Sequence, residues 1–151
     1  MYKIVVYEDA ERQVVAKRFR TSLAQKGKNW PEFAQEVRNQ NIFPAGWGIE
    51  EHFYHGEFKP DDVEYELMLP VAGEIQPTEP LKAKTLPAAK VASIIHRGAF
   101  NELDKAYDRL FKWIEEQGLK IAGNVRVVHL RCPHNTPEPA GYVTEIQVPV
   151  E

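Results

Sequence analysis

Two glutamates set in otherwise β-forming strings are the residues of this chain with the most chemistry to offer. Glu145 stands in Thr144-Glu145-Ile146-Gln147-Val148-Pro149-Val150, and Glu66 in Tyr65-Glu66-Leu67-Met68-Leu69-Pro70-Val71. Both strings read Glu-aliphatic-x-aliphatic-Pro-Val. Strand alternation sends Ile146 and Val148 to one face and Glu145 and Gln147 to the other. The same parity separates Leu67 and Leu69 from Glu66 and Met68. A carboxylate on a partly covered sheet face selects cations and hydrogen-bond donors, and aromatic neighbours bury the flat parts of such ligands. Trp47, between Gly46 and Gly48, and Phe53 are the aromatic candidates for that role. A solvated strand glutamate is the ordinary alternative. The repeated string argues against it for Glu145 and less strongly for Glu66.

The elements that must position these residues form two similar series. Val15-Ala16 and Val91-Ala92 read as equivalent starts, and each is followed by a helical pattern, a strand and a Glu-Pro-Val strand. Each half is therefore β-α-β-β, with halves at about 1–78 and 79–151. The helix of the second half is the clearer. Leu103, Ala106, Tyr107, Leu110, Phe111 and Ile114 fall on one face. Asn101 is its expected N-cap and Gly118 its C′ glycine. In the first half, Trp30-Pro31 opens a helix with proline in the first turn. Strands are expected at 13–20, 47–53, 63–69, 90–96 and 124–131, with one edge strand near 81–86 in the proline-bearing connector. The fold class is α+β: duplicated halves about a pseudo-two-fold, an antiparallel sheet, helices on one face and a ligand cleft on the other.

A chain of 151 residues, with 43% hydrophobic and 27% charged residues and a net charge of −3, is long enough and apolar enough to bury a core. The only dense basic stretch is Lys17-Arg18-Phe19-Arg20, too short for a nucleic-acid groove. The apolar run at the N-terminus breaks at Glu8-Asp9, too soon for a signal or membrane segment. One cysteine, Cys132, suits a reducing compartment, and a cytoplasmic protein is expected. No metal is expected: His129 with Cys132, and His52 with His55, differ in strand parity, and His134 adds no zinc-type spacing. No phosphate loop or nucleophile elbow is present, and no cofactor is expected.

The ordered residues Val91-Ala92-Ser93, His96-Arg97-Gly98, Leu103, Tyr107, Leu110, Trp113-Ile114-Glu115, Gly118-Leu119, Ala122-Gly123 and 144–150 resemble the GyrI-like small-molecule-binding family. That module is also the effector-binding domain of MerR- and AraC-type multidrug regulators. The resemblance is dense over 87–150 and looser, in the same order, over 14–71. It implies the duplicated SHS2-like β-α-β-β fold with a ligand cleft between the halves. It also implies an acidic residue in the closing strand, here Glu145, that meets cationic drugs. Aromatic residues of the middle strands line the family's cleft, which points to Trp47 or Phe53. His129 stands where the family often carries tyrosine. No helix-turn-helix pattern is read ahead of the domain, so a stand-alone member with no direct contact with nucleic acid is expected. The fold also resembles that of SOUL haem-binding proteins, though no axial ligand is marked.

Three activities fit such a member. It binds amphipathic, cationic or amine-bearing aromatic compounds through Glu145, Glu66, Trp47, Phe53, Met68 and His129. Alternatively, it hydrolyses cyclopropane-bearing DNA-alkylating natural products with Glu145 as general base. As a third possibility, it inhibits DNA gyrase by binding the protein.

Overall fold

The computed structural model describes residues 2–54 and 56–151. Among these residues the chain is α+β, in the order β1 (Ile4–Asp9), β2 (Arg12–Thr21), α1 (Lys26–Asn39), β3 (Gly48–Phe53), β4 (Val63–Pro70), β5 (Lys82–Leu86), β6 (Ala89–Arg97), α2 (Leu103–Glu116), β7 (Arg126–Arg131) and β8 (Val143–Pro149). They fall into two compact units. One holds the residues up to Ala10 together with Ala88–Glu151; the other is Glu11–Pro87. The first is the Glu145 unit and the second the Glu66 unit.

In the Glu145 unit the strand order is β1-β6-β8-β7, all antiparallel. The apolar stripe of α2 buries Ala106, Leu110 and Ile114 against Ala92, Ile94, Val127, Ile146 and Val148, with Leu103, Tyr107, Phe111 and Trp113 packed at the margin. The helical spacing read from the sequence is therefore the core-facing stripe. Gly118 ends the helix with φ 68°, in the left-handed region where glycine carries no steric penalty. The start differs from expectation. Residues Phe100–Glu102 form a 3-10 turn, and Glu102, not Asn101, is the cap position, without a side-chain capping bond.

In the Glu66 unit the order is β5-β2-β4-β3, again antiparallel. Phe33 and Val37 of α1 pack on Val15, Tyr65 and Leu67. This helix begins at Lys26 after a 3-10 turn at Leu23–Gln25, so Pro31 lies inside it rather than in its first turn. Pro31 offers no N–H to the carbonyl one turn earlier, and side chains secure this end of the helix instead. Glu50 of β3, 2% exposed, accepts hydrogen bonds from Trp30 Nε1 at 2.7 Å and from His52 Nε2 at 3.1 Å, and pairs with Lys26 Nζ at 2.7 Å. Gly48 makes this possible, because a Cβ there would lie 2.6 Å from Trp30 Cη2.

The spatial division does not follow the expected halves at about 1–78 and 79–151. β1 pairs with β6 and β5 pairs with β2. Both edges of β2 are occupied, by β4 and β5, so β1 finds its partner outside the local hairpin. Register also corrects the matching of the two series. Val15 lies in the core under α1 and Ala92 in the core under α2. Val91, opposite Tyr7, is on the other face. Ala92, not Val91, is therefore the counterpart of Val15.

Candidate functional site around Glu145

Glu145 lies on the face of its sheet that α2 does not cover, as alternation with the buried Ile146 requires. It is directly opposite Ile95 on β6 and Val128 on β7, so aliphatic side chains flank it on both sides. Its Oε2 accepts a hydrogen bond from the Tyr7 hydroxyl of β1 and another from Ser93 Oγ at 2.7 Å. Gln147 Nε2 donates to the Tyr7 oxygen at 2.9 Å. A chain of donors thus runs from Gln147 through Tyr7 to Glu145 and fixes the carboxylate's rotamer. Both donors to Glu145 are neutral and both meet Oε2. Among the described residues, Glu145 makes no ion pair and Oε1 receives no hydrogen bond.

Burial holds the Tyr7 phenol well above the usual tyrosine range, helped by the bond to Glu145 and by the charges of Glu145 and Asp9. Tyr7 is accordingly a donor throughout the physiological range. The linkage has a definite sign, because the folded state binds this proton more tightly than the unfolded chain. The contribution is fully present below the unfolded value of 10.0 and is lost as pH rises from there toward the folded value. Wild type is expected to lose stability more steeply than Tyr7→Phe above pH 10, as read by urea unfolding across that window.

The other expected site residues are placed differently. Glu66, 5% exposed, sits on the face of its own sheet away from α1, and its Oε1 pairs with Lys84 Nζ at 2.6 Å. Met68, fully buried, and Phe53 share that face by register; the Arg18 guanidinium stacks 3.7 Å from the Phe53 ring centre. Trp47 precedes β3 in a loop and is 59% exposed. The glycine beside it, Gly48, serves Trp30. His129 is not beside Glu145. It pairs with Thr144, on the α2 side of the sheet, and its ring meets Phe100 edge-on at 5.7 Å. The residue across from Glu145 on β7 is Val128. Tyr7 and Ser93 were missed because β1 was not recognised as a partner of β6. Ser93 was within reach of parity, since it shares a face with Ile95.

Of the histidines considered for metal, His55 lies outside the described residues. Among the described residues no group of three or more His, Cys, Asp or Glu side chains converges to hold a cation. No described helix is long and apolar enough to cross a membrane.

Residues 2–151 match the family described as the GyrI-like small molecule binding domain. The chain belongs to this family. Among solved structures, this GyrI-like chain is similar to the EcmrR C-terminal domain, with a TM-score of 0.90, 25% identity, and coverage of 100% of this chain and 98% of that one. It is likewise similar to EcmrR in a cryo-EM EcmrR-DNA complex in EcmrR-RPo, at TM-score 0.91 and 24% identity over 99% of this chain. There it spans 57% of the EcmrR chain. The fold is also that of a hydrolase encoded by lin2189 from Listeria innocua, at TM-score 0.72 and 12% identity, covering 99% of this chain and 92% of that one. SAV2435 bound to tetraphenylphosphonium shares it too, at TM-score 0.67 and 13% identity, covering 99% and 94%. No curated protein matches the sequence.

Proposed function

We propose that this GyrI-like domain binds amphipathic aromatic molecules bearing a cation or an amine, on the sheet face that carries Glu145, and so sequesters drugs or toxins. The observation that carries the reading is the hydrogen bonding of Glu145. A half-buried carboxylate ordinarily has a cationic partner or several charge-stabilising donors. Glu145 is instead held by two neutral hydroxyls on one oxygen, between Ile95 and Val128. Tyr7 and Ser93 orient the group, and Oε1 is left for an incoming cation. Flanking aliphatic surface suits the apolar body of such a ligand. The tetraphenylphosphonium held by SAV2435, a lipophilic cation on the same fold, accords with this class.

The test is selectivity for charge. Wild type is expected to bind rhodamine 6G, a cationic aromatic dye, at micromolar concentration, and to bind the neutral dye Nile red at least tenfold more weakly. Equal affinity for the two would remove the charge from the account.

Hydrolysis is the second reading. It is favoured by the oriented carboxylate with one unengaged oxygen, the arrangement a general base on water requires, and by the hydrolase of the same fold. Cyclopropane-bearing alkylating compounds are the substrates to try. Turnover that disappears in Glu145→Gln would favour it over simple binding.

A further inference from the structure

The two units place their glutamates by one register and then treat the charge differently. Tyr7 of β1 is opposite Val91, and Lys84 of β5 is opposite Val14. Glu145 is opposite Ile95, and Glu66 is opposite Arg18. In both units the edge-strand residue therefore approaches the glutamate along the same diagonal, across Ser93 in one and Ala16 in the other. Tyr7 and Lys84 are structural counterparts, as are Gln147 and Met68. The hydroxyl of Tyr7 donates to Glu145, whereas the ammonium of Lys84 lies 2.6 Å from Glu66 Oε1.

We infer that this edge-strand position is a cation selector: lysine closes the neighbouring carboxylate to cationic ligands, and tyrosine leaves it open. Lys84 acts as a tethered ammonium already seated on Glu66. A second cation brought to that carboxylate finds its charge neutralised and meets repulsion from the first. Tyr7 supplies the same positional restraint through a hydrogen bond and leaves the negative charge uncompensated. Of the two glutamates, Glu145 is the one without a cationic partner among the described residues. Glu66 is then a latent cation site, closed by its own chain.

The inference rests on the reading of Glu145 as the ligand-facing carboxylate, so both are tested together. Rhodamine 6G is titrated by fluorescence against wild type, Tyr7→Lys, Tyr7→Met and Glu145→Gln. Methionine and lysine have similar length, so the pair at position 7 isolates the charge. Tyr7→Lys is expected to bind at least tenfold more weakly than Tyr7→Met, and Glu145→Gln more weakly than wild type. Equal binding by the two position 7 variants, with Glu145→Gln still weakened, would overturn the selector and leave the binding proposal standing. Undiminished binding by Glu145→Gln would overturn both. Should circular dichroism show Tyr7→Lys to be unfolded, Lys84→Ala asks the same question of the other unit. Millimolar propylammonium is expected to raise its Tm, and not that of Lys84→Ala combined with Glu66→Gln. Equal shifts in the two would overturn the selector.

Discussion

Glu50→Ala is expected to lower the stability of the protein by about 3 kcal/mol, because it takes away a buried anion while its partners stay in place. Glu50 ties β3 to the first turns of α1. Trp30 Nε1 donates to one oxygen, and Lys26 and His52 meet the other. Lys26 and His52 keep some solvent contact, with side chains 27% and 16% exposed, so their loss of a partner is softened by water. The indole N–H is the group left in want of this acceptor. Glu50→Gln keeps a carbonyl for Trp30 and gives up the charge, so it is expected to cost about half as much. Urea unfolding of both variants checks the order. Equal losses would mean that the charge contributes nothing beyond the hydrogen bond.

Ile146→Ala is expected to cost about 3 to 4 kcal/mol, the usual range for deleting a fully buried branched side chain and leaving a cavity. Ile146 has no solvent exposure and packs among Leu110, Ile114, Val127 and Val148 beneath α2. Its neighbour Glu145 points the opposite way, so the strand that presents the carboxylate is anchored by the residue beside it. Ile146→Val removes one methylene and is expected to cost about 1 kcal/mol. Denaturant midpoints at constant slope give the comparison. A loss below about 1 kcal/mol for Ile146→Ala would contradict the packing described.

Much of this arrangement was legible in the sequence. Leu67, Ile146 and Val148 are buried on the helix side, as alternation requires, and the α2 stripe is the core stripe. These features are local, and local periodicity records them well. The partner of β1 was not legible, because pairing between Ile4–Asp9 and Ala89–Arg97 leaves no sign in either segment. Tyr7 was lost with it, and so was the origin of the Glu145 rotamer. His129 was assigned to the site by family resemblance, whereas register puts Val128 opposite Glu145 and His129 on the far face. Alternation along β7, set beside β8, gives Val128 as the residue across from Glu145. The start of α1 was misjudged because Pro31 reads as a helix opener. The bonds from Lys26 and Trp30 to Glu50 lie at the preceding turns and depend on a strand beyond the helix.

A dye titration on two single variants tests most directly whether Glu145, rather than Glu66, takes the cation. Rhodamine 6G is titrated against wild type, Glu145→Gln and Glu66→Gln under identical salt. Each substitution keeps size and removes a charge. Glu145→Gln is expected to weaken binding about tenfold, equivalent to about 1.4 kcal/mol. Glu66→Gln is expected to have a smaller effect, because Lys84 already neutralises that carboxylate. Wild-type affinity in Glu145→Gln, or a larger loss in Glu66→Gln, would contradict the assignment of Glu145 as the cation-binding residue.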